Sequence, residues 1–346
     1  MASYHSETTT LIRDSASAVA PRGGDLARVR ALRFQSPGFD PQIWREMAAL
    51  GWIGLRLPEE KGGVGLGMTE SIALYEELGH GIVPEPLIAT TLAATLLAQC
   101  EEAELLGRLI RGEQLVTAAG VNSANISTSA AHDNAEAADM ADAFILPELD
   151  EEALTLRLVA RSDMTIETIA LQDGGRVATV SAAPDSGRVI ARNSGNFLRR
   201  AIDEAALGTA AYLLGVAESA FSMTIDYLKE RRQFGQSLAS FQALQHRAAD
   251  LKIQLTLTRA SVEAAAAELD AGADDTARQR AVSRAKARAS DTALLAGREA
   301  IQLHGAIGYT DEYDVGLFLR KAMVLANHYG SAHAHRRRFA ALTADR

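Results

Sequence analysis

The 346-residue chain contains one cysteine, two tryptophans and eight prolines, and aromatic residues make up only 5% of it. A lone cysteine excludes an intrachain disulfide, and Cys100, at the end of Leu96-Leu97-Ala98-Gln99-Cys100, reads as a small buried hydrophobe. No apolar run approaches the roughly 20 residues that cross a bilayer as a helix. Positive charge is in deficit: 35 Lys and Arg stand against 44 Asp and Glu, a formal net charge of −9. That balance argues against a sequence-independent grip on nucleic acid or on an anionic membrane. The opening Met1-Ala2-Ser3-Tyr4-His5 lacks a basic-then-apolar targeting pattern, so the cytoplasm is the expected compartment.

What the chain has is a 47% hydrophobic fraction dominated by alanine and leucine, a composition suited to close-packed helices. Its length predicts two or three domains. Residues 1–40 are polar and interrupted by Pro21, Gly23, Gly24 and Pro37, which predicts a loose or partly helical lead-in. Ile43, Trp44, Met47 and Leu50 then recur at spacings of three and four, and Gly51 closes that helix. A glycine-rich loop over 57–67 leads to Thr69, a candidate cap for a helix that buries Ile72, Leu74, Tyr75 and Leu78. Further helices are expected over 86–99 and 102–111.

Between about 113 and 197 the character changes. Thr155-Leu156-Arg157-Leu158-Val159 and Val177-Ala178-Thr179-Val180 read as strands around Asp173-Gly174-Gly175, while 122–139 reads as loop. From Asp203 a helical stripe runs through Leu207, Ala211, Leu214, Ala217, Phe221, Ile225 and Leu228. Helices over 241–271, 274–304 and 314–327 would complete an antiparallel bundle. The expected fold is mostly α with a small central β domain: an N-terminal helical domain over 1–112, the β domain over 113–197 and a C-terminal four-helix bundle over 198–346.

Two segments carry the chemistry. In the first, Arg231-Arg232-Gln233-Phe234-Gly235 follows a helix and precedes Phe241-Gln242. Its fork-shaped cations, amide and ring suit a pyrophosphate or a stacked nucleotide, and a solvated basic helix end explains them equally. In the second, Gln302 precedes His304-Gly305-Ala306-Ile307-Gly308-Tyr309, where small residues let a ligand approach the backbone. His328, His333 and His335 cluster in sequence, but two-residue spacing, absent acidic partners and Arg336-Arg337-Arg338 argue against a metal. Those arginines face either a phosphate or solvent. The stretch from Arg278 to Arg288 reads as an exposed helix face paired with acidic neighbours.

Together the two segments, with Gly51-Trp52-Ile53-Gly54-Leu55, Pro58-Glu59-Glu60, Gly62-Gly63 and Tyr75-Glu76-Glu77-Leu78-Gly79, resemble the acyl-CoA dehydrogenase family in order and spacing. The resemblance implies FAD bound where subunits meet, with Arg231, Gln233, Phe234, Gln242, Gln302 and Gly305 holding the adenine-diphosphate half of a neighbour's cofactor. It also implies an acyl-CoA substrate and an electron-transfer acceptor.

The chain departs from the family at the flavin ring and at the base. Neither a Thr-Glu-Pro-x-x-Gly-Ser-Asp motif nor a later Trp-x-Thr/Ser-Asn is present; 116–125 stands in the first place, and both tryptophans, Trp44 and Trp52, lie near the N-terminus. Tyr329, followed by Gly330-Ser331, occupies the usual glutamate position. With an ordinary pKa near 10, a tyrosine is ionised in roughly one molecule in a thousand at pH 7. The alternative position lands on Ala205, next to Asp203 and Glu204, leaving Glu204 as the candidate base. The expectation is a subunit whose catalytic glutamate comes from a homologous partner, as in heteromeric bacterial members acting on bulky acids such as steroid side chains. A flavin-free structural subunit, or a homomer using Glu204, are the alternatives.

Overall fold

The computed structural model describes residues 7–20, 22–122, 131–150, 153–183 and 186–344. Six helices come first: α1 (Glu7–Val19), α2 (Ala27–Leu32), α3 (Pro41–Ala49), α4 (Met68–His80), α5 (Leu87–Leu97) and α6 (Ala103–Ile110). Seven strands follow: β1 (Val116–Ala118), β2 (Ala131–Glu136), β3 (Ala143–Asp150), β4 (Ala153–Ala160), β5 (Met164–Ala170), β6 (Arg176–Ala182) and β7 (Arg188–Ala191). The 36-residue α7 (Gly195–Glu230) leads to a two-stranded hairpin, β8 (Arg232–Gln233) and β9 (Gln236–Ser237). The chain ends with α8 (Gln242–Asp270), α9 (Asp275–His304), α10 (Val315–Leu325) and α11 (Ala332–Ala341). This is the helix, sheet, helix order that the sequence predicts.

The described chain divides into two compact units. One comprises residues 30–71 and 84–206 and contains both larger sheets. The four-stranded sheet runs β1-β3-β4-β7, with β1 parallel to β3 and the remaining pairs antiparallel. The second sheet, β2-β6-β5, is antiparallel throughout. Phe144, Ile145, Leu156, Val159 and Val180 are fully buried, so strands of these sheets are covered on both faces rather than alternating. The segment over 122–139 is not all loop. Ala131–Glu136 is a strand paired with β6, although its register shifts between His132 and Ala135. Residues 123–130 lie outside the described chain.

The other unit comprises residues 1–29, 72–83 and 207–346. Within it α9 packs against α8, α10 and α11, and Val282, Ala285 and Ala296 are fully buried. Asp274 caps α9 by accepting from the Ala277 N–H at 2.8 Å. α4 meets α7 backbone to backbone: a Cβ on Gly79 would fall 2.1 Å from the Tyr212 carbonyl oxygen, and one on Gly215 would fall 2.1 Å from that of Glu76. The lead-in is partly helical, as expected, with α1 contributing the fully buried Ala16.

Two expectations change. Cys100 is half-buried rather than buried; its thiol donates to the Leu96 carbonyl at 3.3 Å, and burial with Glu102 nearby pushes it up to about 11. Thr69 lies inside α4 rather than before it, and the Glu70 carboxylate accepts from the Gly67 N–H at 3.0 Å.

Candidate functional site

The end of α7 turns directly into the hairpin. Phe234 and Gly235 both take left-handed backbone, with φ of 54° and 80°, the conformation of a two-residue turn between twisted strands. Leu238 N–H donates to the Arg231 carbonyl at 2.8 Å and closes it. The Phe234 ring is 88% exposed and meets Phe241 edge to face, with centroids 6.2 Å apart. The side chains of Arg231, Arg232, Gln233 and Gln242 are exposed and have no ion pair or hydrogen bond among the described residues. Arg247 nearby differs, held by Glu299 at 2.7 Å.

The glycine segment lies at the same pole of the bundle. Tyr227, one turn before Arg231, stacks on His304 with centroids 4.4 Å apart, and its hydroxyl donates to the His304 carbonyl at 3.1 Å. Tyr313 covers His304 from another side at 4.8 Å. Burial lowers the His304 pKa, and its Nδ1 lies 2.7 Å from the Ala300 carbonyl, an acceptor that Nδ1 can meet only as a donor. Gly305, with φ 68° and ψ −141°, ends α9 in a conformation essentially restricted to glycine. Gln302 and Gly305 are both exposed.

The turn after α10 is built differently. Tyr329 is buried with φ 52°, and its carbonyl accepts from His335 Nε2 at 3.0 Å. Lys286 is fully buried; its Nζ donates to the carbonyls of Leu325 (3.3 Å), Ala326 (3.1 Å) and Gly330 (3.1 Å) and to Ser290 Oγ (3.0 Å). Burial pushes the ammonium down to about 7. The stretch expected to be an exposed basic face therefore turns inward in part, since Arg278 is also buried and pairs with Asp275. A sequence period alone cannot tell a lysine that reaches inward to carbonyls from one that reaches outward to water.

Glu204 lies in the sheet-containing unit, clamped between Arg56 and Arg200, the latter at 3.2 Å. Asp203 is fully buried. Among the described residues, Glu76, His80 and Glu218 form a cluster with ligand-like chemistry that the sequence reading missed, although the i,i+4 pair of Glu76 and His80 was visible. Arg259 Nη2 bonds both carboxylates, at 2.7 Å to Glu76 and 2.9 Å to Glu218, and so puts a guanidinium where a cation would sit. Of the three C-terminal histidines, His335 is buried against Ser283 and Tyr329, and His333 is exposed.

The family model for the acyl-CoA dehydrogenase N-terminal domain matches residues 6–113, and that for the C-terminal domain matches residues 193–342. The chain belongs to the acyl-CoA dehydrogenase family. It is similar to acyl-CoA dehydrogenase IpdE2 of Mycolicibacterium smegmatis, with 32% identity over 97% of this chain and 99% of that protein. IpdE2 of Mycobacterium tuberculosis is 31% identical over 91% of each. Among solved structures, the Tcur3481-Tcur3483 steroid ACAD G363A variant has a TM-score of 0.86 at 26% identity, covering 98% of this chain and 97% of its own. The ChsE4-ChsE5 complex from Mycobacterium tuberculosis shares the fold, with a TM-score of 0.86 at 22% identity over 99% and 98% of the two chains.

The cofactor that acyl-CoA dehydrogenase membership implies is FAD. The donor set at the hairpin fits one end of it: two uncompensated guanidinium forks, three amide side chains and an exposed ring match the charge and flatness of a nucleotide diphosphate. These groups stand outward, so this surface by itself encloses nothing. Residue 329 is a tyrosine, and Glu204 is tied to two arginines.

Proposed function

We propose that this chain is one subunit of an FAD-dependent acyl-CoA dehydrogenase in which a homologous partner supplies the catalytic glutamate and the flavin-ring contacts. The observation that carries the proposal is the pairing of loss and retention. Residue 329, where the family resemblance implies the base, is a tyrosine, and Glu204 is held by Arg56 and Arg200, whereas Arg231, Gln233, Phe234, Gln242, Gln302 and Gly305 are exposed.

In the reaction, a base takes the α-proton of an acyl thioester while the β-hydrogen leaves as hydride to the flavin, which supplies the electron sink. This chain's part is to bind and orient. Arg231 and its neighbours would hold the nucleotide tail of a cofactor seated chiefly in the partner, with the exposed Phe234 ring offering a surface for it. A bulky, steroid-type acyl group is the substrate class that the name of one structural neighbour, a steroid ACAD, supports, with an electron-transfer acceptor as the downstream partner.

Co-expression with the homologous subunit is expected to give a yellow complex that oxidises an acyl-CoA with an artificial acceptor. A colourless or inactive complex counts against the proposal. If the complex forms but Arg231→Ala leaves its flavin content unchanged, the chain is a flavin-free structural subunit instead. Turnover by the isolated chain with FAD would favour a homomer using Glu204.

A further inference from the structure

The two basic stretches that play no part in the proposed function meet in one place. A cavity of about 510 Å3 opens between α8, α9 and α11, with Arg284, Arg288, Arg336, Gln254, Asp291 and Phe339 among its walls. Three guanidiniums therefore face one carboxylate in a chain whose net charge is −9. That carboxylate is already engaged, because Asp291 pairs with Arg336. Arg284 has only a long contact with Glu268 at 3.4 Å. Arg288 Nη2 donates to Gln254 Oε1 at 3.2 Å, while its Nε is buried and has no hydrogen-bond partner.

Arg288 lines the cavity and only its Nη2 is bound, which leaves Nη1 without a partner among the described residues. A multiply charged oxyanion satisfies such a donor well. Arg284 and Arg288 stand one turn apart on α9 and Arg336 faces them from α11, so forks from two helices can meet a tetrahedral phosphoryl group, whereas a flat carboxylate is saturated by one arginine. The volume falls within the roughly 300–1,000 Å3 typical of small-molecule sites. Phe339 adds one aromatic wall.

We propose that this cavity binds a phosphoryl anion of up to nucleotide size, with Arg288 as the central donor and Arg284 and Arg336 flanking it. The site is separate from the hairpin and does not rest on the flavin reading. Titration calorimetry on the full chain, with inorganic pyrophosphate and with adenosine 3′,5′-bisphosphate at matched ionic strength, tests it. Saturable binding of at least one probe is expected. Tighter binding of the bisphosphate assigns a nucleotide source, and binding of pyrophosphate alone assigns a free anion. Arg288→Gln is expected to weaken binding about tenfold or more, the loss of one charge-assisted hydrogen bond. Arg337→Gln, at an exposed arginine outside the cavity, is expected to leave it unchanged. The proposal is overturned if neither probe saturates, or if Arg337→Gln weakens binding as much as Arg288→Gln. It is likewise overturned if Arg288→Gln affects only association with another polypeptide.

Discussion

At the scale of single residues, Lys286 gives the clearest forecast. Burial holds its ammonium at about 7 in the folded chain, against 10.5 when free, so the unfolded chain binds more protons between those values. Stability therefore rises with pH across that window, by no more than about 1.4 kcal/mol per pH unit from this one group. Urea unfolding of wild type and Lys286→Met at intervals from pH 7 to 10 should show the rise in the former and a flatter profile in the latter. Equal slopes would mean that the four oxygens around Nζ keep the ammonium charged throughout. Phe234 gives a second forecast. A phenylalanine with left-handed backbone is strained where asparagine is at ease, so Phe234→Asn should stabilise the isolated chain by about 1 kcal/mol while lowering flavin retention in the complex. Thermal melts and absorbance at the flavin band would separate the two effects.

At the scale of elements, the α4 and α7 contact depends on glycine. A methyl group on Gly79 would overlap the Tyr212 carbonyl at 2.1 Å, and backbone cannot swing aside as a side chain can. Gly79→Ala is expected to cost about 2–3 kcal/mol or more in chemical denaturation. A cost below about 0.5 kcal/mol would show that the helices separate freely. Most helices were legible because their stripes are long, as in α7, where Leu207, Leu214, Ala217 and Leu228 are all buried as the spacing predicts. Strand β2 was not, because Ala131-His132-Asp133-Asn134-Ala135-Glu136 has little strand propensity and is held by its pairing with β6. The hairpin and glycine segments were legible as motifs. Lys286 and the Glu76, His80, Glu218 and Arg259 group were not, since which charged residues meet depends on helix packing rather than on sequence spacing.

At the scale of the whole molecule, the depressed carboxylates and the buried bases act in one direction, opposed only in the alkaline range by the raised thiol of Cys100 and phenol of Tyr313. Burial pushes Glu76 up, but His80, Arg259 and Arg13 outweigh it and hold the carboxyl well below its ordinary range. In the same way, burial opposes but Arg22 and Arg13 depress Glu77, and Arg176 depresses Asp139. These depressed carboxylates stabilise the fold above their unfolded range, and that contribution is lost as pH falls through it. His335, lowered from 6.5 to about 3 by burial and by Lys286, withdraws stability over that interval on acidification. Thus unfolding midpoints should climb from about pH 4 to 8. A maximum near pH 5 would contradict the assignment. Glu76→Gln should cost about 2–3 kcal/mol at pH 7, discounted from a fully buried pair because both arginine partners reach water.

The turn at 325–331 has a further consequence. Lys286 and His335 bond main-chain carbonyls there, not the phenol of Tyr329. The path of the main chain there is thus set by two basic side chains, one from α9 and one from α11, which hold the turn by its backbone. Removing either donor would leave buried carbonyls unpaired and loosen the segment that carries the buried Tyr329.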